Sequence, residues 1–188
     1  MTVSLIQAAP WAASLAALAG SGVTDLRARL IPNEFAALIA VCGVALGLRF
    51  GAGQLCLSLL VAAAVFFALG ILAHYNVIGG GDVKLIGAVT LLAPPDRVGL
   101  LLVEIALAGG VLSCFYLAAG FVLRRLHRRY RHAGKTSGKS GFSKWARREG
   151  IRIAAGYPMP YALAVLGGVA SYIIRELPQC LSATSCSL

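Results

Sequence analysis

Charged residues are scarce in this chain. They make up 13% of its 188 residues, about half the share of an ordinary soluble domain. Only seven residues are acidic, whereas 59% are hydrophobic. A soluble domain of this size could not bury so many apolar side chains in one core without exposing large apolar patches. The composition therefore argues against an ordinary soluble domain and favours a protein embedded in a lipid bilayer.

Paired cysteines are also missing. The five cysteines contain no C-x-x-C pair, which argues against a thiolate zinc site. Cys42, Cys56 and Cys114 lie within apolar runs and are predicted to be packing residues. Cys180 and Cys186 can either form a disulfide or remain free thiols. The basic segment contains no complete phosphate-binding loop, which argues against a nucleotide cofactor. Together with the missing cysteine pair, the sequence therefore predicts neither a metal nor a nucleotide cofactor.

The net charge of +10 comes mainly from one segment, because eleven of the seventeen Lys and Arg residues fall between Arg124 and Arg152. No aromatic-interleaved basic face or groove-reading motif accompanies them, so the sequence does not predict nucleic-acid binding. One basic loop between apolar segments is typical of the positive-inside rule. Residues 124–152 are therefore predicted to be a cytoplasmic loop facing anionic lipids, with both chain termini, including a tail at 176–188, on the outer side.

Six apolar runs are separated by short breaks that carry proline, glycine or charge. The runs cover residues 4–24, 34–49, 55–74, 83–95, 98–122 and 156–175. Isolated strands cannot cross lipid with unpaired backbone groups, so the runs predict an all-α membrane bundle of about six transmembrane helices. The fourth run offers only about 17 Å of helix before Pro94, against a hydrocarbon core of about 30 Å. There are three explanations. This helix begins inside the bilayer, or the bilayer is thinner around it, or an extended segment enters the bilayer before the helix starts.

Two acidic residues stand at the ends of apolar runs on the same predicted face of the membrane. Asp25 follows the first run and Asp82 directly precedes the fourth. Ionisable groups at such positions are costly and are usually functional. Because 57 positions separate them, only a helix bundle could bring them together. Asp82 follows Gly79-Gly80-Gly81, and this glycine run predicts unusual backbone angles or close approach of a substrate.

The other acids in or near the runs have less distinctive positions. Asp96 and Glu176 stand next to Arg97 and Arg175 at the predicted outer ends of helices, where they need no special function. Glu104 lies in the middle of the fifth run. At this position Glu104 is expected either to be a neutral group in the core or to contact another helix.

Two motifs and their order along the chain carry a family resemblance. Residues 25–33 read Asp-Leu-Arg-Ala-Arg-Leu-Ile-Pro-Asn, and residues 79–85 read Gly-Gly-Gly-Asp-Val-Lys-Leu. Over nearly the whole chain this resembles the type IV prepilin peptidase family, the GxGD membrane aspartic peptidases. The first motif of that family is an Asp, one or two basic residues, then Ile-Pro-Asn, and the second is Gly-x-Gly-Asp, a small or apolar residue, then Lys. Residues 157–161, Tyr-Pro-Met-Pro-Tyr, are similar to its proline-containing final helix.

The larger relatives in that family carry an extra cytoplasmic domain with paired cysteines and also methylate the new pilin N-terminus. That domain and its cysteine pairs are not found in this sequence, so no methyltransferase domain is predicted. The chain resembles the small, cleavage-only branch that serves Flp pilins of tight-adherence systems. The resemblance implies one membrane peptidase domain over residues 1–188, in the bacterial cytoplasmic (inner) membrane, with a prepilin or pseudopilin as substrate.

The resemblance also implies that Asp25 and Asp82 are the catalytic residues. Two carboxylates held close together share one proton, so the ionised member can activate water while the protonated member stabilises the tetrahedral intermediate. The supporting motif residues are Gly79, Gly80, Gly81, Lys84, Arg29, Pro32 and Asn33. Lys84 and Arg29 either orient the aspartates or the leader peptide, or their positions only follow the positive-inside rule. Pro32 and Asn33 are expected to shape the turn into the second helix. Pro160 is expected to kink or break the last helix. The competing function is a small ion- or proton-coupled transporter that uses the same aspartates.

Overall fold

The computed structural model describes residues 2–28, 31–129 and 160–183, with side chains described for 9–28, 31–122 and 160–176. In this part of the chain there are helices and turns but no strand. The six α-helices are α1 (Thr2–Ala28), α2 (Asn33–Gly47), α3 (Ala52–His74), α4 (Gly80–Thr90), α5 (Val98–Arg129) and α6 (Tyr161–Ala183). A single 3-10 turn, Leu48–Phe50, extends α2. The predicted all-α helix bundle is confirmed.

Three segments of the described chain are long and apolar enough to cross a bilayer. They are Asn33–Phe50, Ala52–His74 and Val98–Val122. On α3, Leu60, Phe67 and Ile71 are exposed, as suits side chains that face lipid tails. All six predicted apolar runs thus contain helix, and three of the helices meet the length and hydropathy expected of a membrane span.

Helix α4 is short and lies inside the bundle. Its 11 residues give about 17 Å of helix, which agrees with the short fourth run of the sequence. Every residue from Leu85 to Thr90 is buried, and α2, α3 and α6 pack around it. On α2, a Cβ added to Gly43 would lie 2.5 Å from the Cβ of Leu91, so the glycine allows α2 to approach the end of α4 closely.

The apolar core is shared by five of the six helices. The largest fully buried apolar side chains are Leu18, Ile39, Leu85, Val89, Leu101, Val165 and Val169. Helix α3 contributes only Ser58 and Ala62 to the buried set, so it lies at the edge of this core. Helices α5 and α6 approach closely where Gly168 faces the backbone of Ile105, a contact that only a glycine allows.

The chain divides into two units by its internal contacts. Residues 1–109 together with 160–188 form the main bundle, and the described part of the second unit is residues 110–129 of α5. The predicted basic loop at 124–152 begins within α5, because that helix continues to Arg129, and the rest of the loop lies outside the described residues. Helix α6 continues to Ala183, so the first part of the predicted tail at 176–188 is helical, and positions 184–188, with Cys186, lie outside the described residues.

The cysteines of the apolar runs differ in burial. Cys42 is buried in α2, whereas Cys56 and Cys114 are exposed. The prediction that all three are packing residues is therefore wrong for the last two. A membrane helix is apolar on its lipid-facing side as well as its core-facing side, so an apolar run does not show which residues are packed.

Candidate active site

Asp25 lies in the last turn of α1 and is buried, with 6% of its surface exposed. Its Oδ2 atom accepts a hydrogen bond from the backbone N–H of Ala162, at 3.1 Å. Ala162 is the second residue of α6, and the first N–H groups of a helix have no partner within it. The carboxylate of one helix therefore caps the start of another, 137 residues further along the chain.

Asp82 is the third residue of α4. Gly79, in extended backbone geometry, is the N-cap, and its backbone forms a hydrogen bond with the Asp82 carboxylate. The side chain thus turns back over the start of its own helix, as an acidic residue does at this position of a capping box. A Cβ on Gly79 would lie 2.9 Å from Oδ2 of Asp82, so a larger residue at 79 would displace the carboxylate from this position.

The glycine run owes its importance to space and not to unusual backbone angles. Gly80 and Gly81 are helical, and among the described glycines only Gly51 has a positive φ. The predicted unusual backbone angles are therefore wrong. A Cβ on Gly81 would meet the Ile31 side chain at 3.4 Å, and one on Gly80 would meet nothing within 4 Å. Open space therefore adjoins the backbone of Gly80.

The turn that leads into this site has a clear local cause. Helix α3 ends in a Schellman motif, in which the Val77 N–H bonds to the Leu72 carbonyl at 3.0 Å and the Asn76 N–H bonds to the Ala73 carbonyl at 2.9 Å. Asn76 takes the left-handed conformation that this motif needs, with φ of 58°. Asparagine tolerates that conformation better than most residues. The chain then reverses and starts α4 six residues after α3 ends.

The two aspartates interact electrostatically. Asp82 precedes the apolar part of α4 and lies outside the three candidate membrane spans. Burial, and then the negative charge of Asp25, raise the pKa of Asp82 from 3.8 to about 6, while the hydrogen bond with Gly79 opposes the shift. The bundle thus brings together two carboxyl groups that are 57 positions apart in the sequence.

Lys84 and Asn33 form a second contact at the same end of the bundle. The Lys84 Nζ donates to Asn33 Oδ1 at 3.2 Å, which joins the start of α4 to the start of α2. Pro32 immediately precedes Asn33, the first residue of α2, which agrees with the predicted turn. Side chains two positions apart on a helix point about 200° apart, so Lys84 faces away from Asp82. The observed contact of its ammonium group is with Asn33 and not with the aspartates; Arg29 lies outside the described residues.

An apolar groove of about 510 Å³ lies between α2, α3 and α4. Lys84 and Asn33 line it together with small residues such as Ala36, Ala62 and Gly87. Because it lies on the Lys84 face of α4, this groove is separate from the space between the two carboxyl groups.

The start of α6 is the part of the site that the sequence did not predict. Pro160 is fully buried and directly precedes the helix, so the predicted kink or break within the helix is wrong and the proline instead marks its beginning. Tyr161 belongs to the motif at 157–161, and the side chain of Ala162 has no chemistry that reveals its role. Pro160 was the one available signal, since proline is common at helix starts, where backbone N–H groups are free to bind a carboxylate. Residues 157–159 lie outside the described residues.

Three other acids, Asp96, Glu104 and Glu176, form ion pairs toward the other end of α6. Glu104 is buried, accepts a hydrogen bond from the Ser171 hydroxyl at 2.8 Å, and forms an ion pair with Arg175 at 3.0 Å. It therefore contacts another helix, one of the two roles that the sequence predicted. Arg97 pairs with Glu176 and, at 3.5 Å, with Asp96. Within the residues that the structure describes, no cluster of three or more His, Cys, Asp or Glu residues could hold a metal ion.

These features define a polytopic membrane helix bundle with a pair of interacting aspartates at one end. The chain matches the type IV leader peptidase family over residues 12–120, which is more than half of its length and includes both aspartates. The chain therefore belongs to the type IV leader peptidase family, and the resemblance inferred from the motifs is confirmed. No curated protein and no solved structure matches it significantly.

Proposed function

We propose that this protein is an aspartic endopeptidase that removes the short leader of type IV prepilins, with Asp25 and Asp82 as the catalytic pair. The observation that carries the proposal is the electrostatic coupling of these two carboxyl groups in a member of a leader peptidase family. Two interacting carboxyls with separated pKa values are the arrangement that allows one to act as base and the other as acid.

The chemistry requires no metal or cofactor. An ionised carboxylate removes a proton from water, and the hydroxide equivalent attacks the scissile carbonyl carbon. The protonated carboxyl donates to the carbonyl oxygen, which gives a neutral gem-diol. When the C–N bond breaks, the first acid returns its proton to the leaving amine and the second recovers a proton from the diol. The products are a carboxylic acid and an amine, and both aspartates return to their starting states.

The proposed substrate is a Flp-type prepilin or pseudopilin, cleaved at the cytoplasmic face of the bacterial inner membrane. The motif resemblance to the small, cleavage-only branch supports the substrate class. The open space at Gly80, beside Asp82, is where an extended leader segment can approach the carboxyl pair. The basic segment between Arg124 and Arg152 supports an orientation with this end of the bundle toward the cytoplasm and both termini outside.

The direct test is cleavage of a Flp-type pilin precursor by the purified protein in detergent, without nucleotide. We expect the precursor to lose its leader, and we expect Asp25→Asn and Asp82→Asn each to abolish the reaction. Asp96→Asn is the matched control, because it makes the same chemical change at an exposed residue outside the pair, and it should retain full activity.

The competing transporter function gives a different result in the same preparations. A transporter that uses these aspartates would show solute or proton flux in proteoliposomes and no shortened precursor. Full cleavage by either the Asp25 or the Asp82 variant would remove that residue from the mechanism.

A further inference from the structure

The apolar groove between α2, α3 and α4 has one polar end. On α2 its lining begins at Asn33 and ends at Ala40, and on α4 it begins at Lys84 and ends at Leu91. Both sets of lining residues follow the spacing i, i+3, i+4, i+7, which is one face of a helix and about 10 Å long. The two helices run in the same direction, because Lys84 contacts the start of α2 and Leu91 lies against Gly43 further along. The two polar residues therefore share one end of the groove, and the other lining residues are Ala, Gly, Leu and Phe.

The groove opens on the lipid-facing side of the bundle. Its α3 wall belongs to a candidate membrane span, and two residues of that wall, Leu59 and Phe67, are exposed. Exposed apolar side chains on a membrane-spanning helix face acyl chains. Small buried residues, Ala36, Ala62 and Gly87, form the floor of the groove. The medium at its mouth is therefore hydrocarbon and not water.

The polar end of the groove presents hydrogen-bond donors and a positive charge. Lys84 and Asn33 are both exposed there, and the Lys84 ammonium donates one of its three hydrogens to Asn33 Oδ1. The other ammonium hydrogens and the amide NH2 of Asn33 are donors as well. Among the residues that the structure describes, no carboxylate forms an ion pair with Lys84, and the exposed Glu34 does not line the groove. This end is therefore complementary to an anion such as a phosphate group.

The size and position of the groove favour a lipid over a peptide as its occupant. An α-helix with its side chains is about 10–12 Å wide, so a length of about 10 Å occupies roughly 800 Å³. The groove, at about 510 Å³, is too small to enclose it, whereas an acyl chain is much thinner than a helix. The groove also lies on the Lys84 face of α4, away from Asp82, so a peptide held at the aspartates would not fill it.

We propose that this groove binds an anionic phospholipid, with the phosphate at Lys84 and Asn33 and one acyl chain along the apolar lining. Basic sites between membrane helices on the cytoplasmic side hold anionic headgroups in this way. The orientation proposed above places this end of the bundle in the cytoplasmic leaflet, on the side of the basic segment 124–152. The lipid then packs against α2, α3 and α4 at the start of the helix that carries Asp82. Its binding does not depend on peptidase activity.

The first test measures lipid binding to the delipidated protein in detergent by native mass spectrometry, with phosphatidylglycerol or zwitterionic phosphatidylcholine as the added lipid. We expect one phosphatidylglycerol molecule to bind more tightly than phosphatidylcholine, and Lys84→Gln to weaken its binding about five- to tenfold. Lys84→Arg keeps the charge and should bind like the wild type. Lys135→Gln, the matched control, removes the same charge from the basic segment and should keep the tight site. Equal affinity of the wild type for the two lipids, or unchanged affinity in Lys84→Gln, would overturn the proposal.

The second test fills the groove and leaves its polar end intact, so it stands even if Lys84→Gln fails to fold. Ala63 and Ala64 are neighbouring exposed residues of α3, and of the two only Ala63 lines the groove. We expect Ala63→Leu to weaken phosphatidylglycerol binding by a similar factor, because the larger side chain occupies the space of the acyl chain, and Ala64→Leu to match the wild type. Equal binding by these two variants would contradict the proposal. A protein dimer without bound lipid in the same spectra would assign the groove to a second copy of the chain instead.

Discussion

Replacing Asp25 by Asn should lower the pKa of Asp82. In the native protein that pKa is about 6, against an ordinary value of 3.8, and its causes are burial first and the charge of Asp25 second. Asparagine has nearly the same volume, so it preserves the burial and can still accept the Ala162 N–H, but it carries no charge. We therefore expect the pKa of Asp82 to fall only part of the way, by about one unit to about 5.

The measurement is an NMR titration of protein labelled with 13C at the aspartate carboxyl carbons, in detergent, with the Asp82 signal assigned by its loss in Asp82→Asn. The control is Asp96→Asn, which removes a carboxylate outside the pair and should leave the Asp82 midpoint near 6. A midpoint that does not move in Asp25→Asn would show that the two carboxyls do not interact. A fall to 3.8 would show that burial contributes nothing, which contradicts the position of Asp82 at the edge of the core.

Three further changes test the packing and the charges. Asp82→Asn should melt at a higher temperature than the wild type at pH 7.5 and at the same temperature below about pH 4. The reason is that a raised carboxyl pKa means that ionisation, which is half complete near pH 6 and nearly complete at pH 7.5, destabilises the fold. Gly43→Ala should cost about 1–3 kcal/mol of stability, since α2 and α4 must separate, whereas Gly70→Ala on α3 should gain about 0.5–1 kcal/mol because nothing lies within 4 Å of the new methyl group. Glu104→Gln should leave leader cleavage unchanged and lower stability by about 1 kcal/mol, because the amide oxygen still accepts a hydrogen bond but the ion pair is lost.

Each of these outcomes has a clear opposite. A lower melting temperature for Asp82→Asn at pH 7.5 would mean that the charged form stabilises the fold. Equal stability of the two glycine variants would mean that α2 and α4 do not touch at Gly43. Loss of cleavage in Glu104→Gln, with stability retained, would draw that residue into the mechanism and would favour a proton path through the bundle.

The helices could be predicted because each apolar run ends at a residue that stops a helix or starts the next one. Pro32 precedes α2 and Pro94-Pro95 lies between α4 and α5, and both positions were visible as breaks. The short fourth run likewise gave the length of α4. Burial within the runs could not be predicted in the same way, because lipid and core favour the same side chains, and Cys56 and Cys114 show the error that results.

The pair of aspartates could be predicted from the motifs, but their surroundings could not. Asp25 and Asp82 are side chains with evident chemistry at recognisable positions. The backbone N–H that contacts Asp25 is a group that every residue except proline carries. The alanine at position 162 therefore does not identify this position as the hydrogen-bond donor. The partners of Glu104 were hidden for a related reason: Ser171 and Arg175 lie 67 or more positions away, and only the close packing of α5 on α6 at Gly168 brings them within reach.

The burial of α4 has a consequence for how the protein tolerates different membranes. A helix that touches lipid along its length tilts or shifts when the thickness of the hydrocarbon layer changes. Because α4 is enclosed from Leu85 to Thr90 by its protein neighbours, the depth of Asp82 is set by those neighbours and is insulated from the surrounding acyl chains. The Asp82 carboxyl can then hold a constant height in thin and thick bilayers while the outer helices absorb the mismatch.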